Sequence, residues 1–193
     1  MPRPRAFDTE TALDAALVTF WRLGYEATTL TALTDAMAIS RPSLYNAFGD
    51  KEALFLAALA RYEASYAAMF DALDAEPDAR TAVAAHLQAV AAGLADPSHP
   101  AGCLRVAHTA RTSAAEPALA SALARSQHEQ EAAFARRLAR ARRDGQIPAG
   151  EDPALLAAFF VGVVNAMAVR ARVDADAAVL AGIAERGMRA WPA

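Results

Sequence analysis

Residues 28–55 read TTLTALTDAMAISRPSLYNAFGDKEALF, and this stretch decides the fold. Thr28 or Thr29 offers an oxygen to cap a helix whose Leu30, Leu33, Ala36 and Met37 form an apolar stripe. The pattern halts at Ala38-Ile39. Ser40 then caps a second helix, with Pro42 inside its first turn, where a missing N–H is tolerated. A helix of about eight residues, a tight turn and a second short helix is the helix-turn-helix spacing. Along the second helix Leu44 and Phe48 sit one turn apart and face inward, which leaves Arg41, Ser43, Tyr45 and Asn46 on the outer side. Arginine suits guanine edges or phosphate, asparagine suits adenine edges, and the two hydroxyls suit phosphate oxygens. After Gly49, Asp50 caps a third helix and Lys51 stands beside its free backbone N–H groups, an end that attracts phosphate. The expected nucleic-acid face is therefore Thr29, Ser40, Arg41, Pro42, Ser43, Tyr45, Asn46 and Lys51.

The whole chain agrees with a helical reading. Of 193 residues, 55% are hydrophobic but only 7% aromatic, so the apolar content is mostly alanine and leucine, which are strong helix formers. An all-α protein follows. Net charge is −3 and the pI about 5.8, so bulk electrostatics do not announce a nucleic-acid binder and any contact must come from local placement. A single cysteine, Cys103, rules out an internal disulfide and fits a cytoplasmic location. No signal peptide is apparent, and the apolar run 154–169 falls short of the ~20 residues of a membrane span, so it reads as a buried helix and no membrane partner is expected.

Upstream, Arg3 and Arg5 sit between prolines on an extended arm, either a plain tail or an arm that reaches DNA. Asp8 caps a first helix whose Leu13, Ala16, Leu17, Phe20 and Trp21 share one face, and Gly24 stops it.

These motifs closely resemble the DNA-binding domain of the tetracycline-repressor (TetR) family of bacterial regulators. The matching residues are Thr28-Thr29, Ile39-Ser40, Leu44-Tyr45, Phe48, Lys51-Glu52 and Leu54. The family's turn glycine is Ala38 here, so the backbone either avoids the left-handed region or tolerates strain of ~1 kcal/mol. The resemblance implies a helix-turn-helix domain over 1–50 and a helical ligand-binding and dimerisation domain over 51–193, about nine helices in all. It implies double-stranded operator DNA, a small-molecule inducer and a second copy of the chain as partners.

The rest of the chain reads as that body. A helix from Lys51 to about Asp74 links the two parts, a second runs from about Asp78 to Ala95, and a third starts near Cys103. A helix over about 117–144 ends in Arg136, Arg137, Arg140, Arg142 and Arg143; cations belong at that end, and Arg140 is expected to pair with Asp144. The last two helices, capped by Asp152 and starting near Asp174, carry Phe159, Val163, Ala166, Leu180, Ile183 and Gly187, which the resemblance implies as the dimer interface. Tyr62, Tyr66, Met69, Phe70, Cys103, Val106, Phe134 and Phe160 are the expected pocket liners. His99, Cys103 and His108 do not form a convincing zinc set, and neither a metal nor a cofactor is expected.

No Ser-His-Asp order, paired catalytic carboxylates, phosphate-cradling glycine loop or HExxH motif occurs, so an enzyme is not expected. The chain reads as a ligand-responsive transcriptional regulator, a repressor released from a palindromic operator. The alternatives are a helical small-molecule carrier and a sensor built on the Cys103 thiol.

Overall fold

The computed structural model describes residues 7–109 and 116–192; the Arg3 and Arg5 arm lies outside them. Among the described residues the regular structure is entirely helical. Three helices build a head: α1 (Thr9–Leu23), α2 (Leu30–Met37) and α3 (Arg41–Phe48). The body contains α4 (Lys51–Ser65), α5 (Ala67–Ala75), α6 (Ala79–Ala95), α7 (Leu104–Thr109), α8 (Pro117–Arg143), α9 (Pro153–Val173) and α10 (Ala177–Gly187).

Each head helix begins where a side-chain oxygen satisfies a backbone donor. Asp8 accepts from the Glu10 N–H, Thr29 from Ala32, Ser40 from Ser43, and Asp50 opens α4 by accepting from Ala53. Thr28 is buried instead, its hydroxyl donating to the Gly24 carbonyl. Phe20, Leu33, Met37, Leu44, Leu54 and Phe55 fill the head's core, with Phe20 and Tyr25 both meeting Phe55 edge-on. On α2 the inward positions are Leu33, Thr34 and Met37, while Ala36 faces out, so Thr34 takes the place expected of Ala36.

The helix expected over 51–74 is two helices that meet at Tyr66. The Ser65 hydroxyl donates to the Tyr62 carbonyl at 2.6 Å, occupying the acceptor that the Tyr66 N–H would use in a continuous helix. The Tyr66 N–H turns to Glu63 instead. Further on, the final helix is capped by Asp176 and starts at Ala177, later than the expected Asp174.

Two arginines of α8, Arg137 and Arg140, staple the end of α5 and the turn that leads to α6. Arg140 pairs with Asp74 at 3.0 Å, and not with Asp144 as expected, because α5 lies closer to its guanidinium than the end of its own helix. Arg142 donates to the Glu151 carbonyl. Arg137 is 1% exposed, and its Nη2 donates to the carbonyls of Glu76 (2.8 Å) and Pro77 (3.0 Å).

The long apolar helix α9 has two faces. Leu156, Phe160, Val164, Met167 and Ala171 turn inward to the core. Leu155, Phe159, Gly162, Ala166, Val169 and Val173 are exposed, and they recur with the alternating three- and four-residue step of a helix seam. By length and composition α9 would suffice to cross a membrane, but its inner face is packed within the helical body.

Candidate functional site

The outer side of α3 presents Arg41, Pro42, Tyr45 and Asn46 to solvent, with Ser43 half-buried behind them. Leu44, 1% exposed, anchors the opposite side. The caps Thr29 and Ser40 are also exposed; each oxygen accepts a backbone N–H, and the Ser40 hydroxyl lies 2.9 Å from the Ser43 hydroxyl as well. The Arg41 Nη2 donates to the Thr31 hydroxyl at 2.9 Å, a contact that ties the start of α3 to α2 and holds the guanidinium at the surface. The turn between the helices is αL at Ala38 (φ 52°), so the backbone keeps the left-handed conformation without a glycine.

Lys51 differs from the simple picture of a cation at a helix end. Its Nζ lies 4.3 Å from the centre of the Tyr25 ring, and burial pulls its pKa down from the usual lysine value. Burial, with Glu116, Glu52 and Asp50 nearby, pushes the Tyr25 phenol up to about 12. Lys51 is thus aimed by a ring.

Four acidic residues around the head are engaged in capping and pairing. Asp8 and Asp50 are helix caps. Glu10 and Asp14 both clasp Arg61 of α4, at 2.9 and 3.0 Å. Their charge is spent on capping and on docking α1 to α4, and none of it comes from α3.

The body holds a cavity walled by Tyr62, Tyr66, Met69, Phe70 and Cys103, all expected, together with His86, Val90, Arg105, Gln130, Val164 and Ala168. Phe134, Phe160 and Val106 are not among its walls. Phe134 is fully buried behind His86, edge-on at 4.9 Å, and Phe160 packs against Phe159 and Trp191 in the core, so both side chains are used to hold other residues. Val106 is half-buried against the core. Cys103 is buried and accepts a hydrogen bond from the Tyr62 hydroxyl at 3.2 Å. Tyr62 in turn meets Trp21 of the head edge-on at 4.9 Å, and His99 stacks on the same indole.

His86 is 5% exposed, and desolvation lowers its pKa to about 4. Its Nδ1 donates to the Met69 carbonyl at 3.3 Å, so in the neutral ring Nε2 is an acceptor. A histidine that must stay neutral stabilises the fold fully above the unfolded pKa near 6.5, and that contribution is lost as pH falls toward 4. Between pH 7 and 4.5 the loss is about 2 to 3 kcal/mol. Urea unfolding of the parent and of His86→Leu at both pH values checks this: the parent should lose more by that amount, and parallel losses would refute it.

On α9 and α10 a shallow apolar groove is lined by Phe159, Gly162, Val163, Ala166, Ile183, Arg186 and Gly187. Leu180, expected at this surface, is fully buried: it points into the core. Gly187 is buried against Val163, which a Cβ there would meet at 3.0 Å, so this glycine sets the approach of α10 to α9 within one chain.

The family profile described as "Bacterial regulatory proteins, tetR family" matches residues 12–58, and that of the "Tetracyclin repressor-like, C-terminal domain" matches 79–186. The chain belongs to the TetR family. It is 34% identical over 192 residues to the HTH-type transcriptional repressor ComR of Escherichia coli (strain K12), covering 98% of this chain and 91% of ComR. It is 33% identical over 153 residues to the uncharacterized HTH-type transcriptional regulator YezE of Bacillus subtilis (strain 168), covering 79% and 78% of the two chains. Among solved structures, a cysteine mutant of the TetR-family transcriptional regulator CifR, complexed with 26-bp double-strand operator DNA, superposes with a TM-score of 0.94. Its identity is 39%, covering 98% of this chain and 100% of that one. The protein is thus a TetR-family transcriptional regulator, and the helix-turn-helix read from residues 28–55 is the family's DNA-binding element.

Proposed function

We propose that the protein is a homodimeric repressor that reads a palindromic operator with one α3 per half-site and is released by a small-molecule inducer. The observation that carries this reading is the exposed Arg41, Tyr45 and Asn46 of α3, beside acids that are committed to caps and to Arg61. The operator complex of CifR supports it. In this reading residues 1–50 contact DNA, Arg3 and Arg5 included, and residues 51–193 hold the inducer and the partner subunit in the cytoplasm. The exposed face of α9, with Phe159, Val163, Ala166 and Ile183 around its groove, is the dimer surface. Two-fold symmetry then places the two α3 helices about one DNA turn apart. An inducer that binds better to a differently spaced dimer releases the operator, through a coupling of ~1 to 3 kcal/mol. Cys103 belongs to this reading as a pocket wall, its sulfur engaged by Tyr62.

Selection from a random duplex pool tests the proposal directly. It should return an inverted repeat with half-sites about one helical turn apart. Arg41→Ala should weaken binding to the selected duplex about tenfold and reduce the salt slope by about one, as expected for one lost phosphate or base contact. If no duplex is bound saturably, the repressor reading fails.

A further inference from the structure

The body has two adjacent chambers whose walls share Tyr62, Tyr66, Phe70, Arg105 and Gln130. The inner one has a volume of about 40 Å³ and the outer one about 220 Å³. Both are small beside the ~300 to 1,000 Å³ of sites for drug-sized ligands, so the occupant is small. Aromatic rings supply much of the wall. Tyr62 and Tyr66 lie 4.8 Å apart, Phe70 and His86 lie 5.1 Å apart, and all four line the inner chamber. Such walls take a flat aromatic body.

The polar groups narrow the chemistry. Among the described residues that wall the inner chamber, only Arg105 carries a formal charge once His86 is neutral. Its guanidinium reaches across from α7 to the Ser126 hydroxyl of α8 at 3.5 Å. Gln130 lies one turn further along that helix, on the same face, so the cation and the amide share one side of the cavity. Gln130 is 4% exposed, and its Oε1 is buried with no hydrogen-bond partner among the described residues. A buried acceptor left unsatisfied costs ~1 to 3 kcal/mol, so a ligand donor there is strongly favoured. The Nε2 of His86 is a second acceptor in the same wall. The outer chamber also carries Glu63 and Glu129, with Arg136 as a second cation beside Arg105.

We infer that the cavity takes a small hydroxylated aromatic carboxylate, its ring against Tyr62, Tyr66 and Phe70, its carboxylate on Arg105 and its hydroxyl donating to Gln130. This inference rests on the reading of the cavity as the inducer site. It assigns the acid to Arg105 because a carboxylate matches the planar guanidinium fork, and the hydroxyl to Gln130 because a carboxylate has no proton to give there.

Titration calorimetry on the full-length protein tests it, with 4-hydroxybenzoate, benzoate and 4-hydroxybenzamide as probes. The acid 4-hydroxybenzoate should bind at least about tenfold more tightly than its neutral amide, and that gap should close in Arg105→Gln. Gln130→Leu should remove the advantage of 4-hydroxybenzoate over benzoate. An amide that binds as well as the acid, an acid preference that survives Arg105→Gln, or no binding of any probe overturns the inference. Binding to the pool-selected duplex is measured on the same preparation. If the duplex is bound and the probes are not, the ligand class is wrong and the repressor stands. If the acid binds as described and no duplex does, the cavity is correctly assigned but the protein is a carrier.

Discussion

A chain carrying Phe159→Glu and Ala166→Glu is expected to run as a folded monomer and to lose about a thousandfold in affinity for its operator. Both positions are exposed in a single chain and line the groove of α9 and α10, so the substitutions leave the inner face of α9 untouched. In a dimer they would meet their own symmetry copies or neighbours of them, placing like charges in an apolar contact, which costs several kcal/mol. Covering Phe159 alone contributes ~1.5 to 3 kcal/mol, and its loss adds to the cost of the two charges placed in the contact. The DNA effect follows because a monomer holds one half-site, and specific binding exceeds non-specific binding by ~10³ or more only when the whole site is engaged. Sedimentation, the far-UV spectrum and duplex binding together check it. A variant that stays dimeric and binds fully would refute the interface.

The second large effect lies in the core. Arg137→Ala should lower the unfolding free energy by roughly 3 kcal/mol, whereas Arg137→Met should cost roughly 1 kcal/mol. Alanine opens a cavity and leaves the Glu76 carbonyl without its donor, while the Pro77 carbonyl keeps the Gln146 amide at 2.9 Å. Methionine fills the same space and removes the buried Nε and Nη1, which have no acceptor among the described residues. Burial already pulls the guanidinium pKa below its usual value, the mark of a cation held at a cost. Urea unfolding at one fixed protein concentration measures both variants, because a dimer's stability depends on concentration. Equal losses for alanine and methionine would show that the charge, and not the volume, is what matters.

What the sequence revealed follows from what is local. Asp8, Ser40, Asp50 and Asp152 cap the helices that their position before an apolar stripe predicts, Thr29 rather than Thr28 caps α2, and Asp78, near the expected helix start, caps α6. The polar side of α3 was legible for the same reason, since Leu44 fixes which face turns inward. The break at Tyr66 was not, because the stretch around it lacks proline or glycine and the competing hydroxyl of Ser65 acts only through its rotamer. Arg137 reads as one cation among several, and its burial depends on a turn distant in sequence. Arg105 and Gln130 look like surface residues on amphipathic helices; only the packing of α7 and α8 turns them toward a cavity. Phe134 and Phe160 show the reverse error, large rings that suggest a pocket but are spent on filling the core.

Ala38 changes the mechanics of the reading head. A methyl group in the left-handed region costs ~1 kcal/mol in the folded state, yet it also leaves the unfolded chain fewer conformations to lose, which offsets part of that cost. The net stability is therefore little altered, but the joint between α2 and α3 has a narrower range of backbone angles than a glycine would allow. With Arg41 bonded across the same corner to Thr31, the angle of the recognition helix is set before DNA arrives, so less orientational entropy remains to be lost on binding.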